Sequence, residues 1–239
     1  MSLLLSFWRP VDIFESRFNK FAAWVTSGEF CHVELVLHVP PEMLKTSLTK
    51  AMTLKDQNLH NAIEEGFFND PAARQALAGT ENIYVSFSAL WGMQLSARVL
   101  RNTATSAWEH TPVEDHEDVL WVDVVDKYDR DAESLEEEQQ RLSDYCVFQL
   151  GKQYNTWGAL ISASGAECGF LTNPRSKFCS ELCVSALQLH DILPDLRPAT
   201  VTPNSLYKHI QKWNSKQTKT KDDIEDAELD QYFKETHND

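Results

Sequence analysis

The chain has 239 residues and a mass of 27.3 kDa, which suits one domain with a substantial core, or at most two small domains. Its composition, 42% hydrophobic and 24% charged, is that of a soluble globular protein, and it excludes collagen-like, low-complexity and wholly disordered chains. The formal net charge of −14 and the pI near 5.0 predict no nucleic-acid partner and no anionic membrane, because phosphate groups bind a basic face.

The N-terminal apolar run, Leu3 to Leu5, is shorter than the core of a signal peptide and far shorter than the roughly 20 apolar residues of a spanning helix. The sequence therefore predicts no transmembrane segment. In the absence of an export signal, an odd number of cysteines favours reduced thiols and a cytoplasmic protein, or a virion-associated one if the chain is viral. These cysteines are Cys31, Cys146, Cys168, Cys179 and Cys183.

Periodicity predicts two strands and a helix near the N-terminus. A strand covers Leu3 to Trp8, and a helix follows from Val11 to Thr26, with apolar residues three and four apart. The next segment alternates strictly, as a half-buried strand does. One face carries Val33, Leu35, Leu37 and Val39, and the other carries His32, Glu34, Val36 and His38. Residues 42–80 are polar and mixed, which predicts short helical stretches at best, in an insertion or a lid.

Three more strands and two helices are predicted in the remainder of the chain. The strands run from Tyr84 to Leu90, Met93 to Leu100 and Val119 to Val125, and the helices cover Leu135 to Leu150 and residues 178–193, before Pro194. From Ser215 onward charges are dense and apolar residues sparse, so residues 215–239 are predicted to be a disordered acidic tail open to protein partners. This order of elements predicts an α+β domain over residues 1–214, with an antiparallel sheet packed on helices.

Cys179 is the candidate nucleophile, because cysteine attacks as a thiolate and a helix N-terminus lowers the pKa of a thiol. It follows a loop, Gly169 to Lys177, and lies at the start of the second of these predicted helices, which is amphipathic. The alternative is that Cys179 is a small buried residue on the apolar face, as Cys183 is expected to be one turn later.

A nucleophilic cysteine needs a base within hydrogen-bond reach, and histidine serves most often because its pKa is close to working pH. His32 is the best candidate, because it lies within the alternating strand, whereas His38 shares its face but lies at the frayed end. The other histidines lie in polar surroundings or near a helix end. The alternative is a strand histidine whose hydrogen bonds are satisfied in the core or at the surface.

Four segments of the chain, taken in order, resemble a known superfamily. They are Cys31-His32-Val33-Glu34-Leu35-Val36, Gly151-Lys152-Gln153-Tyr154-Asn155, Phe178-Cys179-Ser180-Glu181-Leu182-Cys183 and Val201-Thr202-Pro203-Asn204-Ser205-Leu206. This order resembles the circularly permuted branch of the NlpC-like papain-fold superfamily, which includes YiiX-like bacterial proteins and proteins of large DNA viruses. In that branch the histidine strand precedes the cysteine helix, and the resemblance spans roughly residues 1–213.

The resemblance implies a permuted papain-like fold, with Cys179 as nucleophile and His32 as general base. The family usually has a third polar residue, often an acid, on the strand after the histidine, where Ser88 stands in this chain. Glu34 is the acidic alternative, although it is roughly 6.6 Å from His32 along the strand, which is long for a direct contact. The backbone N–H of Cys179 and the hydroxyl of Tyr154 are the expected donors to the oxyanion. The other interpretation of Tyr154 is an ordinary half-buried aromatic residue.

The implied activity is that of a cysteine hydrolase or acyltransferase, acting on an amide or ester of a peptide or lipid-like substrate through an acyl-enzyme on Cys179. No cofactor is expected, and the spacing of Cys179 and Cys183 without a second pair excludes a zinc motif. Trp91, Trp108 and Trp157 either line an apolar substrate groove or belong to the core. The alternative function is a catalytically inactive papain-fold protein with a structural, virion or adaptor role. A chance likeness of an unrelated α+β domain is the third interpretation.

Overall fold

In a computed structural model, the described residues are 2–10, 28–90, 93–100, 119–124, 132–156, 158–159, 162 and 176–218. Several predictions from the sequence lie outside them: the helix from Val11 to Thr26, the three tryptophans of the predicted groove, Cys168, and the tail beyond residue 218.

The described strands form one larger sheet and one short pair. The strands are β1 (Ser2–Trp8), β2 (His32–Val39), β3 (Ile83–Ser88), β4 (Ser96–Val99), β5 (Val119–Asp123), β6 (Gln153–Tyr154) and β7 (Ser176–Lys177). The first five make an antiparallel sheet in the order β4-β3-β2-β1-β5, and β6 pairs with β7 in parallel. The predicted α+β class with an antiparallel sheet is therefore confirmed. The strand predicted from Met93 is regular only from Ser96, and β3 ends two residues before the predicted Leu90.

Three of the described helices lie between β2 and β3 and are joined by short connections. The full set is α1 (Pro41–Met52), α2 (Gln57–Ile63), α3 (Pro71–Ala78), α4 (Ala132–Gln149), α5 (Cys179–Leu187) and α6 (residues 203–218). A π-helical turn, Glu64–Phe68, follows α2 directly, and a short connection then leads to α3. The helix predicted over residues 178–193 is α-helical only to Leu187 and continues as a 3-10 turn to His190. Asp191 and Leu193 then adopt positive φ angles of 52° and 54°, which turn the chain before Pro194.

Residues 42–80 are more helical than predicted, since α1 alone runs for 12 residues. Leu44, Leu48 and Ala51 recur four and three apart on one face of α1, and they are buried in the main core. Ile63 and Phe67 are buried in the same core. The many polar residues between these positions hide the apolar stripe when only composition is considered. The segment therefore helps to build the core, and its description as an insertion or a lid stays a prediction.

β2 lies in the middle of the sheet, and its two faces differ as the alternation predicts. One face, Val33, Leu35, Leu37 and Val39, belongs to the main core, and α5 packs against β2. On the opposite face, Val36 belongs to a smaller apolar cluster. The packing of α5 against β2 brings the first residue of the helix to the start of the strand, where the candidate site lies.

The C-terminal helix α6 was not predicted, and it extends into the segment assigned to the tail. Thr202 and Ser205 cap its start reciprocally: the Thr202 N–H donates to Ser205 Oγ at 2.9 Å, and the Ser205 N–H donates to Thr202 Oγ1 at 3.2 Å. Leu206 and Ile210 are buried in the main core, so the helix is docked. The prediction of disorder from residue 215 is wrong for residues 215–218, which are still helical.

Candidate active site

Cys179 is the first residue of α5, as the sequence predicts. The residue before it, Phe178, has extended backbone (φ −103°, ψ 170°), and its carbonyl accepts the first helical hydrogen bond from the Leu182 N–H at 2.9 Å. The Glu181 carboxylate accepts the Phe178 N–H at 3.4 Å, which fixes the entry of the chain into the helix. The N–H groups of a first helical turn have no partner within the helix and carry partial positive charge. The sulfur of Cys179 therefore lies at the electropositive end of α5.

The side chains of Cys179 and His32 are hydrogen-bonded to each other, and both are buried. Burial by itself would raise the pKa of Cys179. The hydrogen bond from His32, the imidazolium charge, and the backbone N–H groups of Val33 and Ser180 lower this pKa below its ordinary value of 9.0. Burial by itself would lower the pKa of His32, but its hydrogen bonds to Cys179 and Glu34 and the charges of both raise it to about 9. The two shifts together favour a thiolate paired with an imidazolium.

The far side of the His32 ring contacts both residues that the sequence offered for its orientation. Nε2 of His32 lies 3.1 Å from Oγ of Ser88 and 3.5 Å from Oε1 of Glu34. Glu34 thus reaches His32 although the two residues are one strand repeat apart, because both side chains extend from the same face of β2. Ser88 and Glu34 are both placed to fix the ring, and neither excludes the other.

Glu34 is held by two residues that the sequence analysis missed. Its Oε2 atom accepts a hydrogen bond from Ser86 Oγ at 2.7 Å and another from Arg98 Nη2 at 3.3 Å. Burial alone would raise the pKa of Glu34, but His32, Arg98 and Ser86 lower it to about 2. Glu34 is therefore an anion at neutral pH. One available signal was the period of two in β3, which puts Ser86 on the same face as Ser88.

Tyr154 lies near Cys179. It is the last residue of β6 and pairs with Lys177 of β7, two residues before Cys179. Burial, together with the negative charge of the Cys179 thiolate, raises the pKa of Tyr154 well above 10. Its hydroxyl therefore keeps its proton and is available as a donor. Its action on an oxyanion stays a prediction.

The other described cysteines contrast with Cys179. Burial and the charge of Cys179 raise the pKa of Cys31 to about 12, and its Sγ donates to the Trp8 carbonyl at 3.5 Å. Burial likewise raises the pKa of Cys146 and of Cys183. All four of the cysteines in the described part of the chain are free thiols. Among these four, only Cys179 has a lowered pKa.

Asn204 is a further residue of the site that sequence reasoning did not assign. Its side-chain amide binds the backbone of Phe30 twice: Oδ1 accepts the Phe30 N–H at 2.9 Å, and Nδ2 donates to the Phe30 carbonyl at 2.8 Å. Phe30 lies two residues before His32, so α6 fixes the segment that leads into the histidine. The Thr-Pro motif that contributed to the resemblance contains Asn204 at its third position, and this was the available signal.

In the described part of the chain, no helix is long and apolar enough to cross a membrane, and no group of three His, Cys, Asp or Glu side chains could hold a metal ion. Comparison with known proteins adds no assignment: no family model, curated protein or solved structure matches the chain. The functional argument therefore rests on the geometry and electrostatics of the site.

Proposed function

We propose that this chain is a cysteine-dependent acyl-transfer enzyme, a hydrolase or acyltransferase that forms an acyl-enzyme on Cys179. The observation that carries the proposal is the hydrogen bond between Cys179 and His32, with the pKa of the thiol lowered and that of the imidazole raised to about 9. Such a pair supplies a nucleophile and a proton donor at the same neutral pH.

The proposed reaction uses each group of the site in turn. The Cys179 thiolate attacks the carbonyl carbon of an amide or ester, and the oxyanion that forms accepts hydrogen bonds from the Cys179 N–H and the Tyr154 hydroxyl. The imidazolium of His32 gives its proton to the leaving amine or alcohol, which departs as the thioester forms. Water or an acceptor nucleophile then attacks the thioester, His32 takes the proton of that nucleophile, and the thiolate is released.

The proposed fold is a permuted papain-like one. Two features support it: the histidine strand β2 precedes the cysteine helix α5 in the chain, and the helix packs against the sheet with Cys179 at its first residue. The substrate class proposed with it is an amide or ester of a peptide or of a lipid-like molecule.

Burial of the site favours a second candidate, a non-catalytic papain-fold protein with a structural or adaptor role. Cys179 and His32 are each only 5% exposed, so a substrate reaches them only if the site opens. In this second function the thiolate pair would contribute to stability rather than to turnover. The two functions differ in the chemical accessibility of Cys179.

Alkylation of the intact chain with iodoacetamide, followed by peptide mass mapping, tests the proposal. At pH 6.5 we expect Cys179 to react at least about tenfold faster than Cys183, because the pKa of Cys179 is lowered and that of Cys183 is raised. His32→Ala should abolish this advantage, and Cys183→Ala is the matched control that should leave the rate of Cys179 itself unchanged. A wild-type Cys179 that reacts no faster than Cys183 would contradict the enzyme and favour the non-catalytic protein.

Acyl probes then identify the substrate class. A panel of thiol-reactive probes with peptide-like and long-chain acyl groups should label wild type and not Cys179→Ala. The probe class with the highest second-order rate assigns the substrate.

A further inference from the structure

The two carboxylate oxygens of Glu34 have different partners. Oε1 faces Nε2 of His32 at 3.5 Å, whereas Oε2 accepts from Ser86 Oγ at 2.7 Å and from Arg98 Nη2 at 3.3 Å. The Glu34 side chain is 4% exposed. One oxygen therefore serves the histidine, and the other is held by a hydroxyl and a guanidinium.

The charge of Glu34 needs a permanent counter-ion during the proposed reaction. A buried carboxylate without a cation is costly, and it takes up a proton instead. His32 is a cation only until it gives its proton to the leaving group, whereas an arginine stays charged at every physiological pH. Arg98 is therefore the cation that remains beside Glu34 when His32 becomes neutral.

Arg98 reaches Glu34 across the intervening strand. It lies on β4 directly opposite Ser86 of β3, and Glu34 lies on β2, the next strand of the sheet. Its guanidinium also lies over the Trp8 ring of β1, 5.9 Å from the ring centroid. The small side chain of Ser86 leaves space for this reach and adds its own hydrogen bond to the carboxylate. The arginine is thus directed at Glu34 by Ser86 of β3 and Trp8 of β1.

From this geometry we propose that Arg98 is a positioning residue of the reaction: it holds Glu34 ionised and in place throughout the catalytic cycle, so that Oε1 is always presented to His32. The inference rests on the proposed function and deepens it. Arg98 acts through Glu34 and His32 and does not touch the reacting sulfur.

A cavity beside this contact makes the proposal testable by chemical rescue. It has a volume of about 180 Å³ and is lined by Trp8, Glu34, Ser86, Ser88, Leu90, Ser96, Ala97 and Arg98. Because the Arg98 side chain lines this cavity and is 42% exposed, removing it enlarges the cavity and exposes the vacated space to solvent. A guanidinium ion from solution fits the vacated position.

The experiment measures the pH profile of Cys179 alkylation by iodoacetamide, a neutral reagent, in Arg98→Ala. The groups facing His32 are Cys179, Glu34 and Ser88, and Ser86 and Arg98 also face Glu34. Loss of the guanidinium removes a nearby positive charge, and it also raises the pKa of Glu34 and releases one of its oxygens, which weakens its support of the imidazolium. Both effects raise the pKa of Cys179. We therefore expect the acid limb of the pH–rate profile for Cys179 alkylation to move upward by about one pH unit. This corresponds to a roughly tenfold lower alkylation rate at pH 6.

A matched control and a double variant separate a positioning role of Arg98, which acts through Glu34, from the effect of removing any partly exposed arginine. Arg9 is also 42% exposed and pairs with an acid at 3.2 Å, but its partner, Glu29, is exposed. Arg9→Ala should leave the profile unchanged. In a Glu34→Gln background, Arg98→Ala should add a clearly smaller shift than it does in wild type, because only the direct effect of the lost guanidinium charge remains. Guanidinium chloride, compared with sodium chloride of equal concentration, should restore the rate of Arg98→Ala and not that of Glu34→Gln.

The outcomes distinguish this inference from the proposed function. If wild-type Cys179 is no more reactive than Cys183, the proposed function fails. If wild-type Cys179 is reactive but Arg98→Ala leaves its profile unchanged, or shifts it equally in the Glu34→Gln background, only the role of Arg98 is overturned. Should Arg98→Ala fail to fold, Arg98→Gln removes the same charge with a longer side chain, and Arg98→Lys, which keeps the charge, should remain close to wild type.

Discussion

Gly151 lies against the backbone of Asn58, with no room for a side chain between them. A Cβ atom at Gly151 would be 2.4 Å from the Asn58 carbonyl oxygen, and the φ angle of Gly151 is +74°, in the left-handed region. The Gly151 N–H donates to the Leu95 carbonyl at 2.8 Å. This turn leads directly into β6 and so places Tyr154 beside Cys179.

Gly151→Ala should therefore destabilise the chain by at least about 2 kcal/mol, because the left-handed backbone and the contact with Asn58 both oppose a Cβ atom. Urea denaturation measures the change in the free energy of unfolding. Gly79→Ala is the matched control, since a Cβ atom there would meet the Ala76 carbonyl oxygen at 3.3 Å on an exposed helix end. Equal losses in the two variants would show that the close approach to Asn58 is not decisive.

Asn204→Ala should lower both the stability of the fold and the reactivity of Cys179. The variant leaves the buried N–H and carbonyl of Phe30 without their partner, which costs about 1–3 kcal/mol, and it releases the segment before His32. Asn214→Ala, which removes an exposed hydrogen bond to the Asp123 carbonyl, is the control and should cost less. If Asn204→Ala lost stability but alkylation of Cys179 kept its wild-type rate, the link between α6 and the histidine would be refuted.

His32 should carry its proton at neutral pH, because its pKa is raised to about 9. NMR of ¹⁵N-labelled histidine should show imidazolium chemical shifts for His32 at pH 7 in wild type. In Cys179→Ala the thiolate and its hydrogen bond are gone, so the pKa of His32 should fall. His209, which is exposed on α6, supplies an internal reference in the same spectra. A His32 that titrates alike in both proteins would mean that the thiolate does not act on it.

Ser88→Ala and Glu34→Gln should differ in their effect on Cys179 alkylation. Ser88→Ala removes the contact of the hydroxyl with Nε2 of His32 at 3.1 Å, whereas Glu34→Gln keeps a side-chain oxygen near Nε2, 3.5 Å away in wild type, but removes the negative charge that stabilises the imidazolium. We expect the larger loss of rate in Glu34→Gln, by roughly tenfold at pH 6 if the pKa of Cys179 rises by one unit. The opposite ranking would assign the orienting role to Ser88. If the alkylation rate were unchanged in both variants, neither residue would have a role in orienting His32.

The stability cost of Glu34→Gln should depend on pH. The pKa of Glu34 is lowered from 4.5 to about 2 in the folded chain. The stabilisation from its charge is therefore fully present above pH 4.5 and is lost as the pH falls through about 2. Urea denaturation at pH 7 and at pH 3 should accordingly give a smaller difference between wild type and variant at pH 3. A difference that grew on acidification would contradict an ionised Glu34.

The sequence predicted the parts of the site that depend on local pattern. The alternation around His32 defined β2, and the loop before Cys179 defined the start of a helix, because both signals lie within a few consecutive residues. The contact of Arg98 with Glu34 could not be predicted in this way, since it depends on the register of β3 and β4 and on a side chain that crosses a strand. Asn204 was likewise visible as part of a motif, but its partner, Phe30, is 174 positions away in the chain.

That separation between Asn204 and Phe30 also has a consequence for the time at which the site forms. Contacts between distant segments are established late in folding, because closing a long loop costs entropy before any contact compensates for it. During synthesis the strand bearing His32 emerges well before α5, and α6 emerges after α5. Until α5 docks on β2, Cys179 lacks the hydrogen bond and the imidazolium charge of His32 that lower its pKa. Folding itself therefore lowers the pKa of Cys179, and the nascent chain lacks this effect.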